Sequence, residues 1–184
     1  MFERFRQNVP LAEYTTLQLG GPARWFHEAT SVADLKTTLE FARAEKLRVF
    51  VLGGGSNVII PEHGWDGLGV RIGLRGIQKT DSAGSALLQV GAGEDWDSFV
   101  RWAVRQKLSG VECLSGIPGT VGATPVQNVG AYGQEVADTI QVVHALDRED
   151  LKERVFRADE CAFAYRNRRF KAEDRDRYII TRED

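Results

Sequence analysis

The chain has 184 residues, of which 42% are hydrophobic, 9% aromatic and 27% charged. That balance excludes a disordered, collagen-like or coiled-coil chain, and the length suffices to bury a core. A formal net charge of −2 supplies no broad basic field to recruit nucleic acid or anionic lipid.

At about 150 residues per domain, the length allows one full domain or one domain and part of another. Trp25 to Ala29 reads as a short strand. Ser31 then opens a helix: Asp34, three residues on, makes a variant of the capping box, and Leu35, Leu39 and Ala42 share one apolar face. Val49 to Leu52 is a continuous apolar run, expected as a buried strand. Gly53 to Asn57 breaks it and Val58 to Ile60 resumes extended chain, so the segment reads as a βαβ unit feeding a glycine loop. Short strands are expected at Gly69 to Ile72 and Leu87 to Val90. A helix is expected from Asp95, with Trp96, Phe99, Val100, Ala103 and Val104 as its apolar stripe. Val111 to Leu114 precedes a second glycine-rich loop, Ser115 to Gly133. Strands at Ile140 to Asp147 and Leu151 to Phe156 flank a turn at Arg148 to Asp150, and Tyr178 to Thr181 is a last strand candidate. From Ala145 onward the chain holds 11 basic and 11 acidic residues, so it is locally neutral.

Glycine is concentrated where unusual backbone is needed: 17 of the 19 lie between Gly53 and Gly133. Gly53-Gly54-Gly55-Ser56-Asn57 follows a buried strand and exposes successive amides, an arrangement that binds anions, phosphate above all. A tight turn is the plain alternative. No Gly-Lys-Ser/Thr follows, so this is not a P-loop, and the spacing is not that of the dinucleotide fingerprint. In the loop from Ser115 to Gly133, Gln127 and Asn128 offer paired amide donors and acceptors suited to the imide edge of a planar heterocycle; a structural Ω-loop is the alternative. Between Cys161 and Lys171, four cations fall among Arg166 to Lys171, with Tyr165 and Phe170 interleaved. They would suit a carboxylate or diphosphate, or else form a solvated basic stretch balanced by Glu173, Asp174 and Asp176.

His27, His63 and His144 lack metal-ligand spacing, and no metal site is expected. Cys113 and Cys161 form neither a disulfide framework nor a metal knuckle and are expected as buried small hydrophobes. No Gly-x-Ser-x-Gly elbow is present, which removes the case for a serine hydrolase. No apolar run approaches the roughly 20 residues of a membrane helix, and Met1 to Pro10 has no signal-peptide apolar block. The expected address is a reducing cytoplasm, with no membrane and no nucleic-acid partner.

Taken together, Thr16 to Ala23 (Thr-Leu-Gln-Leu-Gly-Gly-Pro-Ala), Val51 to Val58, Gly116 to Gly122, Gln127 to Gly133 and Cys161 to Arg166 resemble the UDP-N-acetylenolpyruvoylglucosamine reductase family in order and spacing. The resemblance covers nearly the whole chain. The long second motif is highly specific, whereas the Gly-Gly-Gly-Ser-Asn loop is shared with other flavoproteins of the p-cresol methylhydroxylase type.

The resemblance implies an α+β FAD-binding fold of that type in two α/β subdomains: 1–65, with the diphosphate loop, and 66–184. It implies non-covalent FAD, with Gly53, Gly54, Gly55, Ser56 and Asn57 cradling the diphosphate and Ile117, Val126, Gln127 and Gly130 near the flavin. Arg166 would hold and polarise the carboxylate of a UDP-sugar enolpyruvyl ether, with Tyr165 beside it. NADPH would reduce FAD and leave, and the substrate would then receive the hydride. The product is the UDP-N-acetylmuramate of peptidoglycan synthesis, a cell-wall precursor tied to cell shape and division. Thr15-Thr16 stands where some members have Asn-Thr, and Arg168 where serine is frequent. In the family a substrate domain with a serine proton donor and a late glutamate follows, and neither residue is assigned in this chain, which reads as a truncated FAD-binding part, inactive alone, or else as a shortened relative. The alternatives are a non-catalytic FAD-binding module and a different flavin oxidoreductase of the same fold.

Overall fold

A computed structural model describes residues 4–82, 84–163 and 169–184. The chain folds as two units, Met1–Gly73 and Leu74–Asp184. The sequence expectation put the division at 65/66. The strand Trp65–Ile72 is interior to the first sheet, however, and so belongs with the first unit.

In the first unit, β1 (Arg6–Pro10), β2 (Pro22–Ala29), α1 (Val32–Ala44), β3 (Val49–Leu52) and β4 (Trp65–Ile72) form a sheet of order β1-β2-β4-β3 with one helix. The strand-helix-strand reading holds for β2, α1 and β3, but β4 lies between the two strands. It pairs parallel to both, Trp25 opposite Leu68 on one side and Val49 opposite Leu68 on the other. Strand β1, which carries no apolar alternation, pairs antiparallel with β2.

The Ser31 side chain accepts from the Asp34 amide, so the N-cap is the one the sequence implies. Leu35, Leu39, Phe41 and Ala42 form the buried face of α1. Each large apolar side chain so buried contributes about 1.5–3 kcal/mol. His27 sits between the Arg4 carbonyl and the Asp34 carboxylate, and burial pushes its pKa below the usual histidine value.

The second unit contains β5 (Ile77–Ser82), β6 (Ser85–Gly91), α2 (Trp96–Arg105), one turn of helix α3 (Thr124–Gln127), β7 (Gly130–Ala131), β8 (Gln134–Glu135), β9 (Val142–Asp147), β10 (Glu153–Arg157) and β11 (Tyr178–Glu183). Its main sheet has the order β10-β9-β11-β6-β5 and is antiparallel throughout. The expected turn at Arg148 to Asp150 joins β9 and β10. Asp95 caps α2 by accepting from the Ser98 amide. Trp96, Phe99, Val100 and Ala103 are buried as the apolar stripe requires, whereas Val104 is 51% exposed. The loop from Ser115 to Gly133 is not wholly irregular: it holds a 3-10 turn at Val121–Ala123, α3 and the short β7 strand.

Candidate functional site

In the first unit β3, an edge strand that is half-buried rather than buried as expected, ends at Leu52, which is 1% exposed, and delivers the chain straight into Gly53-Gly54-Gly55-Ser56-Asn57. This loop is braced by the segment that follows β1. The Thr16 amide donates to the Gly55 carbonyl at 3.0 Å, and the Gly21 amide to the Pro61 carbonyl at 2.9 Å. Gly55 is the pivot. Its φ is +70°, and a Cβ there would lie 1.9 Å from the Tyr14 carbonyl oxygen. Only a bare peptide fits, on both counts. Gly54 and Asn57 are exposed, and among the described residues their amides have no protein acceptor. The result is a braced, side-chain-poor turn with free N–H groups, the chemistry of an anion cradle.

In the second unit the loop from Ser115 is held at several points by α2 and its approach. The Trp96 indole Nε1 donates to the Leu114 carbonyl at 3.0 Å in the buried interior. The Trp96 amide donates to Gly119 O, the Val121 amide to Glu94 O and the Gly122 amide to Ala92 O. Between these pins, the amides of Ile117, Gly119 and Thr120 have no acceptor among the described residues. Gly116, at φ +80° with open space where a Cβ would stand, begins that stretch. Further on, Asn128 caps α3 in the left-handed region at φ +46°. Its Nδ2 donates to Glu135 Oε2 at 3.1 Å, while its Oδ1 is buried without a partner among the described residues. Ile117, Val126 and Gln127 are half-buried and Gly130 is exposed. Loose amides at one end and an orphaned amide oxygen at the other fit a ligand with an anionic bridge and a hydrogen-bonding heterocycle.

The third motif is described only in part. Tyr165 and Arg166 lie outside the described residues. The segment just beyond them does reach the second loop: a 3-10 turn at Arg169–Lys171 packs on α3, and Lys171 Nζ donates to Gln127 Oε1 at 3.4 Å. Of the two cysteines, Cys161 is buried as expected, and burial pushes its thiol up to about 12. Cys113 corrects the reading: it is exposed, because it follows Glu112 on a short surface turn of which only Leu114 faces inward.

Two acidic side chains escaped the sequence reading. Asp97, one residue inside α2, accepts from Ser115 Oγ and the Gly116 amide. Glu183, at the end of β11, is 5% exposed and accepts from Thr124 Oγ1 at 3.1 Å. Helical spacing identifies Asp97 only as part of a helix start, and an acidic residue in a charged tail gives no sign of burial. Glu183 also lines a cavity of about 450 Å³, together with Trp96, Phe99, Val121, Val136 and Ile140. Of the expected site residues that are described, none lines that cavity. Among the described residues no cluster of three or more His, Cys, Asp or Glu could hold a metal ion, and no helix is long and apolar enough to cross a membrane.

Residues 23–150 match the FAD binding domain family. A UDP-N-acetylenolpyruvoylglucosamine reductase of Cutibacterium acnes is 49% identical over 175 residues, covering 95% of this chain and 46% of that protein. The crystal structure of the UDP-N-acetylenolpyruvylglucosamine reductase from Thermus caldophilus superposes with a TM-score of 0.76 at 31% identity, covering 97% of this chain and 61% of that one. A VAO-type flavoprotein from Myceliophthora thermophila is only 16% identical, covers 90% of this chain and 32% of that one, and shares the fold with a TM-score of 0.64. The chain spans about half the length of the curated relatives it matches.

Proposed function

The chain belongs to the FAD binding domain family and has the α+β fold of p-cresol methylhydroxylase-type flavoproteins, and on that premise we propose that it is the FAD-binding part of a UDP-N-acetylenolpyruvoylglucosamine reductase. The observation that carries the reading is the pair of braced, side-chain-poor loops, one in each unit, whose amides at Gly54, Asn57, Ile117, Gly119 and Thr120 lack protein acceptors among the described residues. Relatives of that name match over 95% and 98% of the chain, which favours this reading over a different flavin oxidoreductase of the same fold.

In this proposal Gly53 to Asn57 hold the FAD diphosphate with peptide N–H groups, which supply donors without a competing cation. Ile117, Val126 and Gly130 border the flavin, and Gln127 offers it an amide edge whose orientation Lys171 helps to fix. FAD, when bound there, would supply the redox chemistry, the transfer of a hydride from NADPH to the enolpyruvyl ether. Arg166, with Tyr165 beside it, binds the substrate carboxylate. As hydride reaches the β-carbon, negative charge grows on that carboxylate, and a guanidinium bound to it would stabilise that charge. The product, UDP-N-acetylmuramate, places the reaction in peptidoglycan precursor synthesis and in the cytoplasm, and the substrate-binding machinery beyond this chain would complete it.

The test uses the longer reductase that contains this chain. Arg166→Ala should lower turnover by on the order of 10³-fold while the purified protein stays yellow with bound FAD. Turnover unchanged by the substitution would remove the carboxylate role, and a protein that takes up no FAD would remove the whole proposal.

A further inference from the structure

The unexplained feature of the second loop is how it keeps its open amides aligned. Glycine at 116 and 119, both at positive φ, leaves that stretch free to move. A single carboxylate opposes this freedom. Asp97 Oδ1 accepts from Ser115 Oγ at 2.8 Å and from the Gly116 amide at 2.7 Å. Its Oδ2 accepts from Arg101 at 2.5 Å, and the same guanidinium donates to Ser98 Oγ at 3.1 Å. Asp97 stands in the first turn of α2, whose apolar face is buried, so its backbone is rigid. Three donors converge on it, and only the arginine belongs to its own helix. On the other side, Gln134 Oε1 accepts from the Cys113 amide at 2.8 Å, so residues 113–116 are held from two directions.

We propose that Asp97 is a positioning residue that fixes Ser115 and Gly116, so that the amides of Ile117, Gly119 and Thr120 are pre-arranged for the cofactor. The inference rests on the flavin reading of the loop. The cost of ordering a glycine-rich loop is met in the folded chain rather than at binding, which raises affinity without any direct contact from Asp97. The charge matters as well as the geometry. The hydrogen bonds from Gly116 and Ser115 hold the carboxyl below its ordinary range, so the anion that accepts them persists across the neutral range.

Amide hydrogen exchange on this chain, alongside FAD titration, tests the proposal. In Asp97→Ala, exchange at Ser115, Gly116 and Val121, whose amides are hydrogen-bonded in the parent chain, should rise at least tenfold, while the amides of Val100 to Arg105 in α2 stay as protected as before. FAD affinity should fall by about tenfold, the size expected when charge-assisted hydrogen bonds are lost. Asp97→Asn keeps an acceptor oxygen and should restore part of both effects. If Asp97→Ala fails to fold, Ser115→Ala, which removes one of the two loop bonds and leaves the helix intact, should show the same pattern at smaller size. Unchanged loop exchange in these variants, or equal loosening throughout α2, would overturn the proposal. Should the parent chain bind no FAD, the flavin reading fails by itself, and the exchange data still decide whether Asp97 fixes the loop.

Discussion

At the scale of single residues, Glu183 shows burial and charge in conflict. Its carboxyl is enclosed, with Thr124 Oγ1 as its hydrogen-bond donor, and burial pushes its pKa well above the usual carboxylate value of 4.5. The folded state therefore holds a proton that the unfolded chain gives up. That contribution to stability is fully present below pH 4.5 and is lost as pH rises from there to the raised folded value. Glu183→Gln keeps the bond from Thr124 and removes the ionisation. Thermal unfolding should show the variant melting roughly 3–5 °C higher at pH 8, with no difference at pH 4. Equal melting temperatures at both pH values would show that the carboxyl titrates normally. Some single residues were legible in advance. Ser31 caps α1 because a short oxygen-bearing side chain ahead of an apolar stripe has few other uses. Glu183 and Asp97 were not, since their partners lie 59 and 19 positions away in the chain.

At the scale of elements, the glycine loops divide into positions that need bare backbone for space and those that need it only for conformation. Gly55 needs it for both, given the Tyr14 carbonyl oxygen 1.9 Å from where a Cβ would stand, whereas at Gly116 nothing lies within 4 Å. Gly55→Ala should destabilise by on the order of 3 kcal/mol, lowering the melting temperature by roughly 10 °C. Gly116→Ala should cost about 1 kcal/mol, that of an alanine in the left-handed region. Melting curves of the two variants should therefore separate clearly; coincidence would mean that the loop at Gly55 yields. The elements read from sequence were those with an apolar period or run: β2, α1, β3, the end of β4, part of β6, α2, β9, β10 and β11. Of those missed, β1 and β5 lie at the edges of their sheets, and α3, β7 and β8 lie within or just beyond the second glycine-rich loop. The sequence of β5, Ile-Gln-Lys-Thr-Asp-Ser, is polar, as suits an exposed edge, and polarity hides a strand from any hydrophobic pattern.

At the scale of the molecule, the fold class came from the resemblance of several motifs, in order and spacing, to a known flavoenzyme family, not from the glycine pattern alone. Pairing order was less accessible. Nothing local to Val49–Leu52 says that β4, which starts only at Trp65, will insert between β3 and β2. The candidate site was legible where chemistry resides in glycines and amides at 53–57 and 115–133. It was illegible where remote side chains brace those loops.

The proposed function turns on both glycine-rich loops binding FAD through their peptide groups. Amide proton–nitrogen spectra of the 184-residue chain, recorded during FAD titration, test it most directly. Saturable shifts should centre on Gly53 to Asn57 and on Ile117 to Gly130, and should vanish when the cofactor is withdrawn. Saturation with both segments unmoved, or no saturable change anywhere, would contradict it.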